Sequence, residues 1–417
     1  MVLTLTIFIL VYLAMAVGHL PGLHLDRTGA ALVGAMLMIS FGAISPAAAW
    51  AAVDYRTIGL LFGLLVVSAT FMVSGFYDRV AQMIGGLDVG PKKLLAIVIL
   101  ITSGLAALLN KDVVAVAMTP VLCTMCIKRR LNPLPFLLAF CFAANFASAA
   151  TLIGSPQSMI IAETLNLSFV GFSRAATLPA LLSLPIIWVV VVLCYRGRWE
   201  LSAQANSALA TDTTMTVAEQ VEFNLGETTK AALVTIAVII AFIATDWPHM
   251  LISLTGASCL LISRRYSSNN MLRHVDGDVL LLLFGLFIVN AAFTATGIPE
   301  NLLSELRASG IELQDPLSML LIMSVISNII GNNPSVMLIV PLVKGAAHPE
   351  ALGAAIALGC AFSSSAVVFG SIVGIVVSEE CKKRNITIGF TEFARAGVPA
   401  SILALLMAAV WINYIVY

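Results

Sequence analysis

The chain has 417 residues, 60% of them hydrophobic and 11% charged, with a mean hydropathy of +1.01. Soluble domains carry about a quarter charged residues, so too few polar side chains remain here to face water all round, and lipid must cover much of the surface. The 22 basic and 22 acidic residues cancel, which excludes the basic face that a nucleic-acid partner requires.

The chain opens on an apolar segment without a basic leader. Ala14-Met15-Ala16 resembles a cleavage site, but without that leader the segment is read as a retained span. Apolar stretches of about 20 residues can cross a bilayer as helices. In chain order they lie near 3–20, 28–46, 58–77, 134–165, 175–195, 229–245, 249–263, 279–298, 350–380 and 396–416. Two further stretches, 94–127 and 316–345, are broken in the middle by Asn110-Lys111-Asp112 and by Gly331-Asn332-Asn333-Pro334. Each limb is too short for a comfortable crossing, so a re-entrant hairpin is predicted for both. With that choice, 16 of the 22 basic residues fall on one side, among them Arg27, Arg79, Lys92, Lys93, Lys128-Arg129-Arg130 and Lys382-Lys383-Arg384. The excess of basic residues marks the cytoplasmic side, which places both termini outside and the polar stretch 196–228 in the cytoplasm.

The two halves repeat. Val53-Asp54, Phe62-Gly63 and Gly75 recur 222 residues on as Val275-Asp276, Phe284-Gly285 and Gly297. Asp112 with Pro120 matches Asn333 with Pro341, and Phe146, Gly154-Ser155 and Glu163 match Phe362, Gly370-Ser371 and Glu379, 216 residues on. In this topology the second copy is upside down. The expected fold is therefore all-α: two inverted repeats, each with a re-entrant hairpin and an unwound membrane helix. The first repeat spans 1–195, a cytoplasmic linker 196–228, and the second repeat 229–417. Inverted repeats with interrupted helices point to a secondary transporter whose site lies at mid-membrane.

Irregular backbone at membrane depth is tolerated only where protein or a wet cavity satisfies it. Four such breaks are predicted: the two hairpin tips, the run Ser148 to Pro156, and the run Ser363 to Ser371. Half-helices that begin after each break aim their positive ends at the centre, which favours an anion or an oxygen-rich ligand. The candidate substrate- and ion-binding residues are Asn110, Lys111, Asp112, Thr151, Gly154, Ser155, Asn332, Asn333, Ser335, Ser364, Ser365 and Ser371. An ionised side chain at this depth costs about 2.5–3.5 kcal/mol on insertion scales, so Lys111 and Asp112 carry the most information. Asp112 could bear a coupling proton, and Lys111 could bind an anion or stand in for a coupling cation. Alternatively the two form an internal ion pair, with Asp112 capping the second limb. Glu163 and Glu379 are read as markers of the water boundary, Asp54 and Asp276 as helix caps. Asn290 is read as either a helix–helix hydrogen bond or a cavity residue.

Other chemistry finds little support. Cys123 and Cys126 form a C-x-x-C inside a membrane helix, where packing is the simpler reading. His19, His24, His249, His274 and His348 form no H-E-x-x-H zinc spacing. Gly277-Asp278, although it superficially resembles an intramembrane protease motif, stands at a membrane edge. No catalytic residue, metal site or cofactor is implied.

The run Ala149-Ala150-Thr151-Leu152-Ile153-Gly154-Ser155-Pro156-Gln157-Ser158 resembles the first unwound-helix motif of the ion transporter superfamily. Its Pro-Gln variant is nearest to the arsenite/antimonite efflux permease and silicon-efflux branch. Lys111-Asp112 through Thr119-Pro120, Asn332-Asn333-Pro334, and the tail Asn385 to Phe390 followed by Gly397-Val398-Pro399 resemble permease segments. The resemblance implies a scaffold and a moving transport domain, elevator-like movement, and homodimers in some relatives. Lys111 stands where relatives usually have the Asn that helps bind sodium, and Ser158 where the variant usually has Asn. A lysine ammonium would repel sodium, so proton coupling through Asp112 is expected. The expected function is export of a small inorganic oxyanion or metalloid hydroxide, arsenite or antimonite first, in exchange for protons, at a bacterial inner membrane. Alternatives are sulfate or dicarboxylate uptake and sodium/proton antiport.

Overall fold

A computed structural model describes residues 1–18, 25–200, 221–308, 312–384 and 386–416. His19, His24, Asn385 and most of the expected linker lie outside the described residues. The first half contains α1 (Val2–Val17), α2 (Arg27–Ser40), α3 (Pro46–Ala52), α4 (Tyr55–Val73), α5 (Phe76–Gly85), α6 (Pro91–Leu108), α7 (Lys111–Lys128), α8 (Pro133–Ser148), α9 (Pro156–Leu165) and α10 (Phe169–Cys194). In the second half are α11 (Leu225–Ala244), α12 (His249–Leu261), α13 (Ser268–Leu272), α14 (Gly277–Thr294), α15 (Ile298–Ala308), α16 (Pro316–Ile330), α17 (Asn332–Ile339), α18 (Pro349–Ser363), α19 (Ile372–Lys382) and α20 (Phe390–Val416). Six of these helices are long and apolar enough to cross a membrane: α4, α6, α10, α11, α14 and α20.

Local chemistry sets the starts. Proline occupies the first turn of α3, α6, α8, α9, α16 and α18, where its missing N–H costs nothing. Asp54 accepts the Arg56 N–H at 3.0 Å at the head of α4, and its repeat partner Asp276 accepts that of Val279 at 3.2 Å at the head of α14. Both acids are the helix caps read from the sequence.

The packing maps onto itself when the halves are exchanged. Helix α4 packs on α12 as α14 packs on α2, α6 on α8 as α16 on α18, and α10 on α8 as α20 on α18. A pseudo-two-fold axis follows, and it passes between Phe146 and Phe362, repeat partners whose rings are 4.7 Å apart. The equivalent helix crossings are backbone to backbone. A Cβ on Gly63 would come within 2.6 Å of the Ser253 carbonyl carbon, and one on Gly285 within 2.7 Å of that of Ala31. Within each half the crossings are odd in number (α1, α2, α4, the interrupted pair α8–α9, and α10), since the hairpin α6–α7 returns to its own side. The second half therefore enters inverted.

Both hairpins and both breaks fall where they are predicted, with limbs α6–α7 and α16–α17 and unwound runs between α8 and α9 and between α18 and α19. Four short helices, α3, α5, α13 and α15, are additional to the predicted spans. They are too short for a window of membrane length. Helix α5 alternates Phe76, Val80 and Ile84 with Asp78, Arg79 and Gln82, the pattern of a helix lying along the membrane surface. Gly75 and Gly297 turn the chain into α5 and α15 at φ of 72° and 73°, a conformation that side-chain-bearing residues adopt only with strain. Helix α11 begins at Leu225, four residues before the expected start of the second repeat, because Asn224 caps it through the Glu227 N–H at 3.2 Å.

Candidate functional site

The tip of the first hairpin is built by Asn110. Its side chain accepts the N–H groups of Asp112 at 2.8 Å and Val113 at 3.4 Å, and its own N–H donates to the Ser68 hydroxyl at 3.0 Å. The alternative in which Asp112 caps α7 is thereby corrected: Asn110 holds the N-cap position, one residue before the helix, whereas Asp112 is already inside its first turn. The Lys111 N–H donates to the Gly154 carbonyl at 3.1 Å, tying the hairpin tip to the first unwound run.

Lys111 and Asp112 are both buried, 2% and 7% exposed. The Lys111 side-chain nitrogen and one Asp112 carboxyl oxygen find no hydrogen-bonding partner among the described residues. No ion pair joins them, since neighbouring helix residues project about 100° apart. The internal ion pair considered from the sequence is therefore not formed, and both residues line a small cavity of about 40 Å³.

Asn332, Asn333 and Ser371 also line that cavity, together with residues absent from the sequence-based set, among them Gly331 and Gly370 beside them and, from outside the predicted breaks, Arg27, Gln157 and Leu282. The side-chain amide oxygens of Asn332 and Asn333 and the side-chain amide nitrogen of Gln157 are buried without a partner among the described residues. Burying such groups unpaired costs about 1–3 kcal/mol each, so the cavity is a set of donors and acceptors awaiting a polar occupant. Both hairpin tips, the second unwound run and, through Gln157, the start of α9 contribute to its wall.

The remaining candidates sit behind the wall. The Thr151 hydroxyl donates to the Ala107 carbonyl, fastening the first unwound run to α6. Ser155 and Ser158 hydroxyls are 2.9 Å apart. Ser335 donates to the Asn332 carbonyl at 2.8 Å and Ser364 to that of Ala361 at 2.8 Å. Ser365 and Ser371 both receive the Asn145 amide, at 3.3 and 3.0 Å, so α8 of one half holds the unwound run of the other. Gly154 has no room for a side chain, its Cβ position being 2.4 Å from the Ser148 carbonyl oxygen and 2.6 Å from that of Ala106. Gly370 repeats this against Ser364 and the Asn328 side chain.

Asn290 accepts the Tyr12 hydroxyl at 2.8 Å and donates to the Met337 carbonyl at 3.3 Å, which settles its two readings in favour of the helix–helix bond. Glu163 pairs with His249 at 3.0 Å, and Glu379 is exposed. Of the residues missed, Arg27 had been counted only as a basic residue at a membrane edge. Gln157 was visible within the motif itself. Asn145 could have been found as an amide in an apolar span three residues before a break. A larger crevice of about 620 Å³ between α5, α6 and α11 has aliphatic and aromatic walls relieved only by Thr228 and Thr235, and no group there selects a polar solute.

Residues 7–358 match the family described as CitMHS, citrate transporter. The chain is 35% identical over 174 residues to the silicon efflux transporter LSI3 of Oryza sativa subsp. japonica, covering 42% of this chain and 36% of that one. It is 22% identical to the putative transporter arsB of Dictyostelium discoideum, covering 93% of this chain and 87% of that one. The crystal structure of the Alcanivorax borkumensis YdaH transporter, described as having an unusual topology, shares the fold with a TM-score of 0.60 at 13% identity, covering 100% of this chain and 98% of that one.

Proposed function

Because the chain belongs to the CitMHS citrate transporter family and is thus a membrane transporter rather than an enzyme, we propose that it exports a small metalloid hydroxide, arsenite or antimonite first, in exchange for protons. The observation that carries this reading is the cavity. About 40 Å³ accommodates a solute of few heavy atoms, and its unpaired amides with one buried lysine and one buried aspartate suit hydroxyl groups rather than several carboxylates. The relative named as a silicon efflux transporter supports export of a small metalloid hydroxide, and the relative named putative transporter arsB supports a transporter of the same kind. Asp112, which lacks an ionic partner, is the group that can take up and release a proton during the cycle. Lys111 supplies a fixed positive charge where a sodium ion would otherwise sit, which favours protons over sodium.

Arg27 and Leu282 line the cavity from near the starts of α2 and α14, the ends that the excess of basic residues assigns to the cytoplasm. An exporter loads from that side, so export requires a state in which this cavity opens toward those helix ends. The hairpins, α8–α9 and α18–α19 then move as a transport domain against a scaffold that includes α2, α4, α12 and α14.

Arg27 also favours a second reading, uptake of a small dianion such as sulfate, because it places two cations against one carboxylate. Proteoliposomes loaded with arsenite, sulfate or citrate separate the two. Arsenite efflux driven by an inward proton gradient, without movement of sulfate or citrate, is the expected result. Sulfate or citrate transport without arsenite transport would replace the proposal.

A further inference from the structure

Helices α7 and α19 both start at the cavity and run away from it side by side. Cys123 stands 12 residues into α7 and Cys381 nine residues into α19, roughly 18 and 14 Å from the helix starts at 1.5 Å per residue. There the two sulfurs come within 3.9 Å of each other, both fully buried. The basic clusters Lys128 to Arg130 and Lys382 to Arg384 follow within a few residues, so the pair lies near the end of the bundle read as cytoplasmic.

The spacing distinguishes between uses of a thiol pair. A disulfide needs the sulfurs about 2.05 Å apart. Two sulfurs bound to one soft centre stand between that distance and van der Waals contact, so from the 3.9 Å found one trivalent arsenic can bridge them after a small side-chain movement. Among the described residues, no three His, Cys, Asp or Glu side chains gather into a metal site. An ion that demands three or four protein ligands is therefore not served. A trivalent arsenical needs only two thiols, because it brings its own third substituent.

We propose that Cys123 and Cys381 form a dithiol site for trivalent arsenicals, separate from the transport cavity. With As(OH)₃, two As–S bonds form while two S–H and two As–O bonds break. Two waters leave, the third hydroxyl stays on arsenic, and no electron changes hands. The bridge clamps α7 to α19 and so fixes the distance between the helix starts that carry Lys111, Asp112 and Ser371. Transport then slows when the arsenical is bound. The positions related by the repeat are Lys344 and Leu165, so the clamp exists on one side only. The site holds or fails whatever the cavity transports.

The test uses phenylarsine oxide, whose phenyl group takes the third position and which loses one water on bridging two thiols. Intact-mass measurement of the purified full-length protein should show one equivalent bound, removable by 2,3-dimercaptopropanol. Cys123→Ser and Cys381→Ser should each abolish it, whereas Cys194→Ser and Cys259→Ser should keep it. Peptide mapping of the wild type, which requires no variant to fold, should find Cys123 and Cys381 in one bridged product. The reagent should slow transport by the wild type and leave Cys381→Ser unaffected. No bound equivalent, a bridge mapped to any other pair, or an adduct that survives in Cys381→Ser would overturn the proposal.

Discussion

Ser68 and Asn290 are repeat partners 222 residues apart, and each holds the hairpin of its own half. Ser68, in the middle of α4, accepts the Asn110 N–H at 3.0 Å, whereas Asn290, in the middle of α14, donates to the Met337 carbonyl at 3.3 Å. The central helix of each repeat thus reaches its hairpin, at the tip in the first half and in the second limb in the other, through one polar side chain inside an apolar span.

Asn290 has the larger stake because it also receives the Tyr12 hydroxyl at 2.8 Å. Asn290→Ala should lower stability by about 1 kcal/mol, within the range for hydrogen bonds between membrane helices. Ser68→Ala should cost less, since only one bond is lost. Thermal unfolding of both variants in the same detergent checks the order, and a Ser68→Ala loss exceeding that of Asn290→Ala would be inconsistent with it.

At Gly154 a methyl group must displace the Ser148 or Ala106 carbonyl. Gly154→Ala should therefore shift the first unwound run and break the bond from the Lys111 N–H, a strain of about 1–3 kcal/mol. The protein should still insert in the membrane and purify as a monodisperse species, with transport severely reduced. Wild-type transport by this variant would show that the close approach is dispensable. Gly370→Ala, its counterpart, should behave alike.

Sodium should be without effect. With the Lys111 ammonium fixed beside Asp112, replacing external sodium by choline should leave the wild-type rate unchanged. Substrate flux that rises with sodium concentration would remove the argument from Lys111.

Much of this architecture is legible in the amino-acid order, for identifiable reasons. Asn110-Lys111-Asp112 and Gly331 to Pro334 interrupt apolar runs so abruptly that no continuous span fits, and Pro156 with Gly154 marks a break by removing a hydrogen bond and a side chain together. The cavity wall was only half legible. Lys111, Asp112, Asn332, Asn333 and Ser371 could be identified because they lie in the breaks. Arg27 and Leu282 reach the same cavity from helices far away in sequence, and no periodicity reports such a meeting. The hydroxyls of Thr151, Ser335, Ser364 and Ser365 carried the right chemistry for a ligand, yet each makes a hydrogen bond within the protein. Composition does not distinguish a serine that lines a cavity from one that fastens its wall. The 3.9 Å approach of Cys123 to Cys381 depends on the packing of α7 against α19, 258 residues apart, and was likewise invisible.

Asp112 is where the account is most exposed. The direct measurement is arsenite accumulation in everted membrane vesicles under an imposed proton gradient, comparing wild type with Asp112→Asn. The wild type should accumulate arsenite when the gradient is present and stop when it is collapsed. The variant should lose gradient-driven accumulation while still exchanging internal for external arsenite at equilibrium. Gradient-driven accumulation by Asp112→Asn at the wild-type rate would contradict the coupling role. Absence of arsenite movement in wild-type vesicles that contain folded protein would contradict the substrate as well.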